Sequence, residues 1–119
     1  MKPNELMIGD LVIYGGLYTK AICIGQKISL YDGKGTEFTI DPCHVEPIPL
    51  TQEILEKNGF KKVNMTVDGD YRHYHLHGVC ISWEEQSGFW YGDGDIEFKY
   101  VHELQHLLRL CDTKIEIEL

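Results

Sequence analysis

The stretch "IPLTQEILEKNGF", residues 48–60, decides the fold because it predicts one short helix between two β-rich segments. Thr51 is a favourable N-cap residue, since its hydroxyl can accept a hydrogen bond from a backbone N–H of the first turn. Glu53 places a negative charge at the positive N-terminal end of the helix dipole. The pair Asn58-Gly59 is a typical helix stop. We therefore predict a connecting helix at about residues 51–58.

Residues 1–49, which precede this helix, consist of short alternating segments separated by glycine-containing turns. Four segments predict strands, and they read "IGDLVIYGG", "LYTKAICIG", "KISLYDG" and "TEFTID". Glycine supplies the positive backbone angles that tight turns need. "CHVEPIPL" predicts a short fifth strand that ends at Pro47 and Pro49. Such closely spaced strands predict a small SH3-like β-barrel subdomain, with barrel closure inferred from the strand pattern.

Residues 50–119 predict an α+β subdomain. After the connecting helix, the segments "YRHYHLH", "VCISWEE", "GFWYG" and "IEFKY" read as an antiparallel β-meander. A second helix is expected at about residues 101–110, and "TKIEIEL" alternates as a final strand with Ile115 and Ile117 on one face. The predicted fold class is therefore α+β, with an N-terminal SH3-like barrel, a connecting helix, and a meander packed on one helix.

The composition is that of a folded acidic protein. The 119 residues carry a formal net charge of -8, and 43% of them are hydrophobic. The acidic balance and the scattered basic residues argue against a nucleic-acid partner, because phosphate binding needs clustered Lys and Arg. No apolar run approaches the roughly 18 residues of a membrane span, and no export signal follows the start. We therefore expect a cytoplasmic protein that makes no membrane contact.

The cysteines give no sign of a metal framework. Cys23, Cys43, Cys80 and Cys111 are far apart in the sequence and form no Cys-x-x-Cys pair. Zinc fingers and ribbons need close pairs, because two thiolates of one turn must reach the same ion. We expect four reduced cysteines that are mostly buried as small hydrophobic side chains.

Three stretches together resemble a known family. "KPNELMIGDLV", "IPLTQEILEKNGF" and "YVHELQHL" are similar to motifs of a family of short uncharacterised Bacteroidetes proteins, found in phage-like or mobile-element neighbourhoods. The resemblance implies a role in a mobile element and carries no activity with it. Met7 stands where the family pattern has Arg, and Asp10 where it has Asn. Glu103 and His106 stand where the pattern has Gln and Asn.

The motif "HELQH", residues 102–106, has the form of a zinc-protease site. His102 and His106 are four residues apart, so that on a helix both rings project from one side and can share a zinc ion. Glu103 would then take a proton from the metal-bound water. A helical wheel places the two histidines opposite an apolar stripe and facing either solvent or a cleft. That stripe consists of Val101, Leu104, Leu108 and Cys111.

Several features argue against a zinc hydrolase. A catalytic zinc needs a third protein ligand, and the acids at Glu116 and Glu118 fall on a segment that must also bury Ile115 and Ile117. The residues after His106 lack the Gly and His of the metzincin extension. The family pattern also implies that the motif is incidental in this chain. We therefore assign no catalytic residues and no cofactor.

A passive metal site is a separate possibility. "HYHLH" places His73, His75 and His77 on one face of a predicted strand, where neighbouring imidazoles could bind Zn, Ni or Cu. The alternative is a solvent-facing polar row with Tyr74 and Leu76 turned inward. The leading hypothesis is a non-enzymatic binding or accessory protein of a mobile element, with another protein as its partner. A zinc-dependent hydrolase and a passive metal-binding protein are the alternatives.

Overall fold

The computed structural model describes residues 5–63, 71–76, 78–85, 87–92, 96–111 and 115–119. These residues contain two antiparallel five-stranded sheets and two α-helices, which confirms the predicted α+β class. The chain divides into two compact units. The first contains the described residues up to Pro49 together with Tyr100–His102, and the second contains Leu50–Lys99 and Glu103–Leu119. No helix in the described part of the chain is long and apolar enough to cross a membrane.

The first unit is built on one sheet with the strand order β4-β3-β2-β1-β5. Its elements are β1 (Leu11–Tyr14), β2 (Leu17–Ile24), β3 (Ile28–Tyr31), β4 (Glu37–Ile40), a 3-10 turn (Pro42–His44) and β5 (Glu46–Pro47). Gly15 and Gly16 join β1 to β2 with φ of 57° and 80°, the positive angles that a two-residue type I′ hairpin requires. The core consists of Leu6, Val12, Ala21, Ile28, Leu30 and Val45. In the described residues no strand pair joins β4 to β5, so SH3-like closure stays a prediction.

The second unit is a meander with the strand order β10-β9-β8-β7-β6. Its elements are α1 (Gln52–Lys57), β6 (Lys61–Val63), β7 (Tyr71–Leu76), β8 (Val79–Glu84), β9 (Phe89–Gly92) and β10 (Ile96–Phe98). Helix α2 (Val101–Leu110) follows. Helix α1 begins as predicted, because the Thr51 hydroxyl accepts a hydrogen bond from the backbone N–H of Ile54 at 3.3 Å. It ends at Lys57, and Gly59, two residues further on, has a φ of 89°.

Helix α2 packs on the inner face of this second sheet. That face presents the buried side chains of Tyr74, Ile81, Trp90 and Phe98, and the helix contributes Leu104, Leu107 and Leu108. Gly92 lies between Ile81 and Ile96 in the strand pairing. A Cβ atom at position 92 would overlap Cδ2 of Leu107 and lie 3.2 Å from Cε1 of Phe98. The missing side chain is therefore what lets the helix approach the sheet.

The final strand predicted from "TKIEIEL" is wrong, because residues 115–119 have no strand pairing. The side-chain amide of Asn58 takes the place of a partner strand. Its Oδ1 accepts from the backbone N–H of Glu118 at 2.7 Å, and its Nδ2 donates to the Glu118 carbonyl at 2.8 Å. The same Nδ2 donates to the carbonyl of Ile54 at 2.7 Å. One residue thus ties the C-terminal segment to the end of α1, and Ile117 becomes buried without a strand.

The expectation of mostly buried cysteines is also wrong, because all four are exposed. Cys23 follows an irregularity in the β2–β3 register between Ala21 and Cys23, which breaks the in-and-out alternation there. Cys80 alternates with the buried Val79 and Ile81 and therefore lies on the outer face of β8. Cys111 comes after the last residue of α2. Small size and low polarity did not decide burial at these positions.

Candidate functional site

A cavity of about 180 Å³ lies between strand β10 and helix α2. Its lining residues belong to the second unit, and they are Ile96, Glu97, Phe98, Glu103, His106, Leu107 and Leu110. The helix contributes positions 103, 106, 107 and 110, the spacing of a single helix face. The helix side of the cavity is therefore formed by one glutamate, one histidine and two leucines on the same face of α2.

The strand side of the cavity lies at an edge of the second sheet. Strand β10 pairs with β9 through Ile96–Gly92, Glu97–Tyr91 and Phe98–Trp90. It ends the strand order, and no other described strand pairs along Ile96–Phe98. Pairing resumes just past its end, where the backbone N–H of Leu50 donates to the Lys99 carbonyl at 2.9 Å. The open part of this edge is therefore short.

The buried part of the cavity lining is apolar, and its more exposed part mixes apolar and polar side chains. Phe98 and Leu107 are buried, whereas Ile96 is 45% exposed and Leu110 79% exposed. Glu97 is exposed, and Glu103 and His106 are half-buried. Exposed apolar side chains beside an apolar cavity are typical of interaction surfaces. We call this set of lining residues the β10–α2 groove.

Glu103 is held in place by the chain itself. Its carboxylate oxygen Oε1 accepts a hydrogen bond from the backbone N–H of Lys99 at 3.1 Å. This contact satisfies a donor just before the helix, as the acidic residue of a capping box does. The Lys99 ammonium lies 4.2 Å from the centre of the Phe89 ring. The carboxylate that the zinc-protease motif would use as a base thus has a structural task at the start of α2.

His102 does not occupy the polar side that the helical wheel predicts. Only 5% of its surface is exposed, and its ring stacks on Tyr100 with a centroid distance of 5.9 Å and an interplanar angle of 11°. In the same unit, the backbone N–H of Val101 donates to the Ile48 carbonyl at 2.8 Å. A wheel assumes one buried face, whereas the adjacent residues Val101 and His102 are both buried. The placement of His102 on an open side is therefore wrong.

The apolar stripe of α2 differs from the prediction at two positions. Val101, Leu104 and Leu108 are buried as expected, but Cys111 is exposed and Leu107 is buried in its stead. His106 lines the β10–α2 groove. Among the described residues, no three His, Cys, Asp or Glu side chains come together as a metal site.

The histidine row of β7 is divided by its surroundings. His73 is half-buried, and its Nδ1 lies 2.6 Å from the Ser82 hydroxyl in a hydrogen bond. His75 is exposed and pairs across the sheet with Lys61 on one side and Cys80 on the other. Tyr74 points inward and is fully buried, as the solvent-facing alternative predicts. His77 lies outside the described residues.

No protein-family model, curated protein or solved structure matches this chain. Sequence reasoning missed Ile96, Glu97 and Leu110 as site residues, because they are ordinary surface residues until the fold places β10 beside α2. The only local signal is the spacing of residues 103, 106, 107 and 110, which alone cannot show a cavity.

Proposed function

We propose that the protein is a non-enzymatic binding protein that holds a side chain of a partner protein in the β10–α2 groove. The observation that carries the proposal is the cavity of about 180 Å³, which has a buried apolar lining and the exposed leucine and isoleucine beside it. Side chains that fill such pockets contribute much of the binding energy of protein interfaces. The exposed Leu110 and Ile96 would be covered by the residues that flank the anchor.

The size of the cavity favours binding over catalysis. Small-molecule sites usually have volumes of about 300–1,000 Å³ and enclose most of the ligand. A cavity of about 180 Å³ is smaller than that range and suits one side chain of a larger partner. An extended segment would lie along the short open edge at Ile96–Phe98, in the manner of strand addition.

Two further parts of the proposal rest on sequence. A role as an accessory protein of a mobile element rests on the resemblance of the three motifs. Closure of the first sheet into an SH3-like barrel is supported by the Gly15-Gly16 hairpin and by the irregular register of β2, because bulges and tight turns increase the coiling of a sheet. A cytoplasmic location is likewise proposed from the sequence.

A zinc-dependent hydrolase is the second candidate, since Glu103 and His106 line the same cavity. Zinc content, measured by mass spectrometry on untagged protein, separates the candidates. The binding proposal expects no stoichiometric metal in the parent or in His106→Ala. Zinc that is lost in His106→Ala would support the hydrolase. Zinc that is kept in His106→Ala and lost in His75→Ala would support a passive metal site on β7.

Selection from a displayed peptide library tests the binding proposal directly. Peptides that are enriched on the protein should shift the backbone amide resonances of Ile96–Phe98 and of α2. Leu110→Ser should lower the affinity of these peptides by about tenfold, because it removes apolar area that the partner covers. Ile8→Ser is the matched control, since Ile8 is 66% exposed and lies in the first unit. An equal loss of peptide affinity in both variants, or resonance shifts outside β10 and α2, would refute the groove as the binding site.

A further inference from the structure

The β10–α2 groove combines two kinds of lining that one type of side chain matches. Phe98 and Leu107 supply buried apolar surface, and the exposed Glu97 and the half-buried Glu103 supply carboxylates. Lysine and arginine have an apolar stem that ends in a cation, so each can cover apolar surface while its charge stays near water. An acidic anchor would be repelled there. A purely apolar anchor would bring no cation to the two carboxylates.

We infer that the groove binds an arginine side chain in a basic, extended segment of the partner protein. This inference rests on the proposed function and names the partner's chemistry. A guanidinium presents a planar fork of donors that pairs with carboxylates more specifically than an ammonium does. Arginine is also enriched among the side chains that dominate protein interfaces. The net charge of -8 would further attract a basic segment.

The position of Glu103 supports the inference. Its Oε1 is fixed by the backbone N–H of Lys99 at 3.1 Å, so the carboxylate is already oriented before a partner arrives. Binding then requires little ordering of this side chain, and less conformational entropy is lost. The Lys99 ammonium is held over Phe89, 4.2 Å from the ring centre.

The test uses short capped peptides of serine and threonine with one central variable residue. The residue is arginine, lysine, citrulline or leucine, and citrulline keeps the shape of arginine without its charge. Binding is followed by amide shifts of β10 and α2. We expect arginine to bind about 2- to 30-fold more tightly than citrulline, which corresponds to two partly exposed carboxylate contacts. Added salt should reduce this ratio.

Substitutions assign the charge selectivity to the two carboxylates. Glu97→Gln and Glu103→Gln should each lower the preference for arginine over citrulline by about 2- to 5-fold. Glutamine at position 103 can still accept from Lys99, so the start of α2 is kept. Glu116→Gln is the control, because Glu116 is exposed in the same unit and does not line the groove. If Glu103→Gln fails to fold, the preference for arginine over citrulline in Glu97→Gln alone decides whether the groove carboxylates cause the selectivity.

The outcomes separate the inference from the proposal beneath it. If leucine or citrulline binds the groove as tightly as arginine, the inference is overturned and the proposed function stands. If arginine is preferred but Glu116→Gln reduces the preference as much as Glu97→Gln, the selectivity comes from overall charge and the inference is again overturned. If no peptide shifts the groove amides at millimolar concentration, the proposed function fails as well.

Discussion

Substitution of Gly92 by alanine tests how closely α2 packs on the second sheet. The new Cβ would overlap Cδ2 of Leu107 and lie 3.2 Å from Cε1 of Phe98 and 3.5 Å from Cγ of Leu107. Both neighbours are buried, so a shift of either one changes the packing between α2 and the sheet. Overpacking of this kind costs about 1–3 kcal/mol. We expect Gly92→Ala to lower the free energy of unfolding by that amount.

Urea unfolding followed by tryptophan fluorescence measures this change, because Trp90 lies in the affected core. Gly25→Ala is the matched control, since the nearest neighbour of a Cβ there is the Lys27 carbonyl oxygen at an ordinary 3.8 Å. That control should be neutral or stabilising by up to about 1 kcal/mol, because alanine also restricts the unfolded chain. A comparable loss in both variants would show that the overlap is not the cause.

A double-mutant cycle with Leu107→Ala identifies the colliding partner. Leu107→Ala alone should cost about 2–5 kcal/mol, since it leaves a cavity in the core. In that background Gly92→Ala should be neutral or stabilising, because the new methyl group occupies space that the leucine left. The coupling energy should therefore be about 1–3 kcal/mol. Additive effects would refute the close approach of α2 to Gly92.

Three further predictions concern the C-terminal segment, the helix histidines and acid sensitivity. Asn58→Ala should destabilise the protein by about 1–3 kcal/mol, because its side-chain hydrogen bonds are lost. The backbone amide of Glu118 should then exchange its hydrogen faster. Unchanged protection of that amide would contradict the role of the Asn58 side chain. His102→Ala should lower the unfolding free energy by about 1–3 kcal/mol, because it removes a buried stacked ring. His106→Ala should lower the stability less, as measured by thermal denaturation of both variants, because His106 is only half-buried. The reverse order would contradict the burial of His102. The backbone N–H groups of Lys34 and Thr36 hydrogen-bond the Asp32 carboxylate and lower its pKa. The Asp32 carboxylate therefore contributes stability above its pKa in the unfolded chain, and this contribution is lost as the pH falls through its lower pKa in the folded protein. Asp32→Asn, which keeps an acceptor and does not titrate, should reduce the loss of stability in acid, and an unchanged pH profile would contradict this.

The parts of the fold that the sequence predicts well are those with local causes. Helix α1 depends on the Thr51 cap and on the stop at Gly59, and both act within a few residues. The hairpin between β1 and β2 depends on two adjacent glycines with positive φ. Signals of this kind can be read from the sequence because the residues that interact are neighbours in the chain.

The errors arise where the deciding partner is distant in sequence. Alternation in residues 115–119 is the same for a paired strand and for an extended segment held by Asn58, and only the fold shows which one occurs. His102 is buried and stacks on Tyr100, a residue before the helix that a helical wheel of α2 does not include. The β10–α2 groove likewise exists only where the fold places β10 beside α2, and the spacing of its helix residues does not reveal the strand side.

The hydrogen bonds of the Asn58 amide also affect how readily this residue deamidates. An asparagine followed by glycine is prone to deamidation, because the unhindered glycine nitrogen can attack the side-chain amide and form a succinimide. Here the nitrogen of Gly59 donates to the Glu56 carbonyl at 3.1 Å, and both ends of the Asn58 amide are engaged. The cyclisation therefore requires this helix end to open first. The rate of deamidation at Asn58 should therefore report how often this helix end and its contact with the C-terminal segment open.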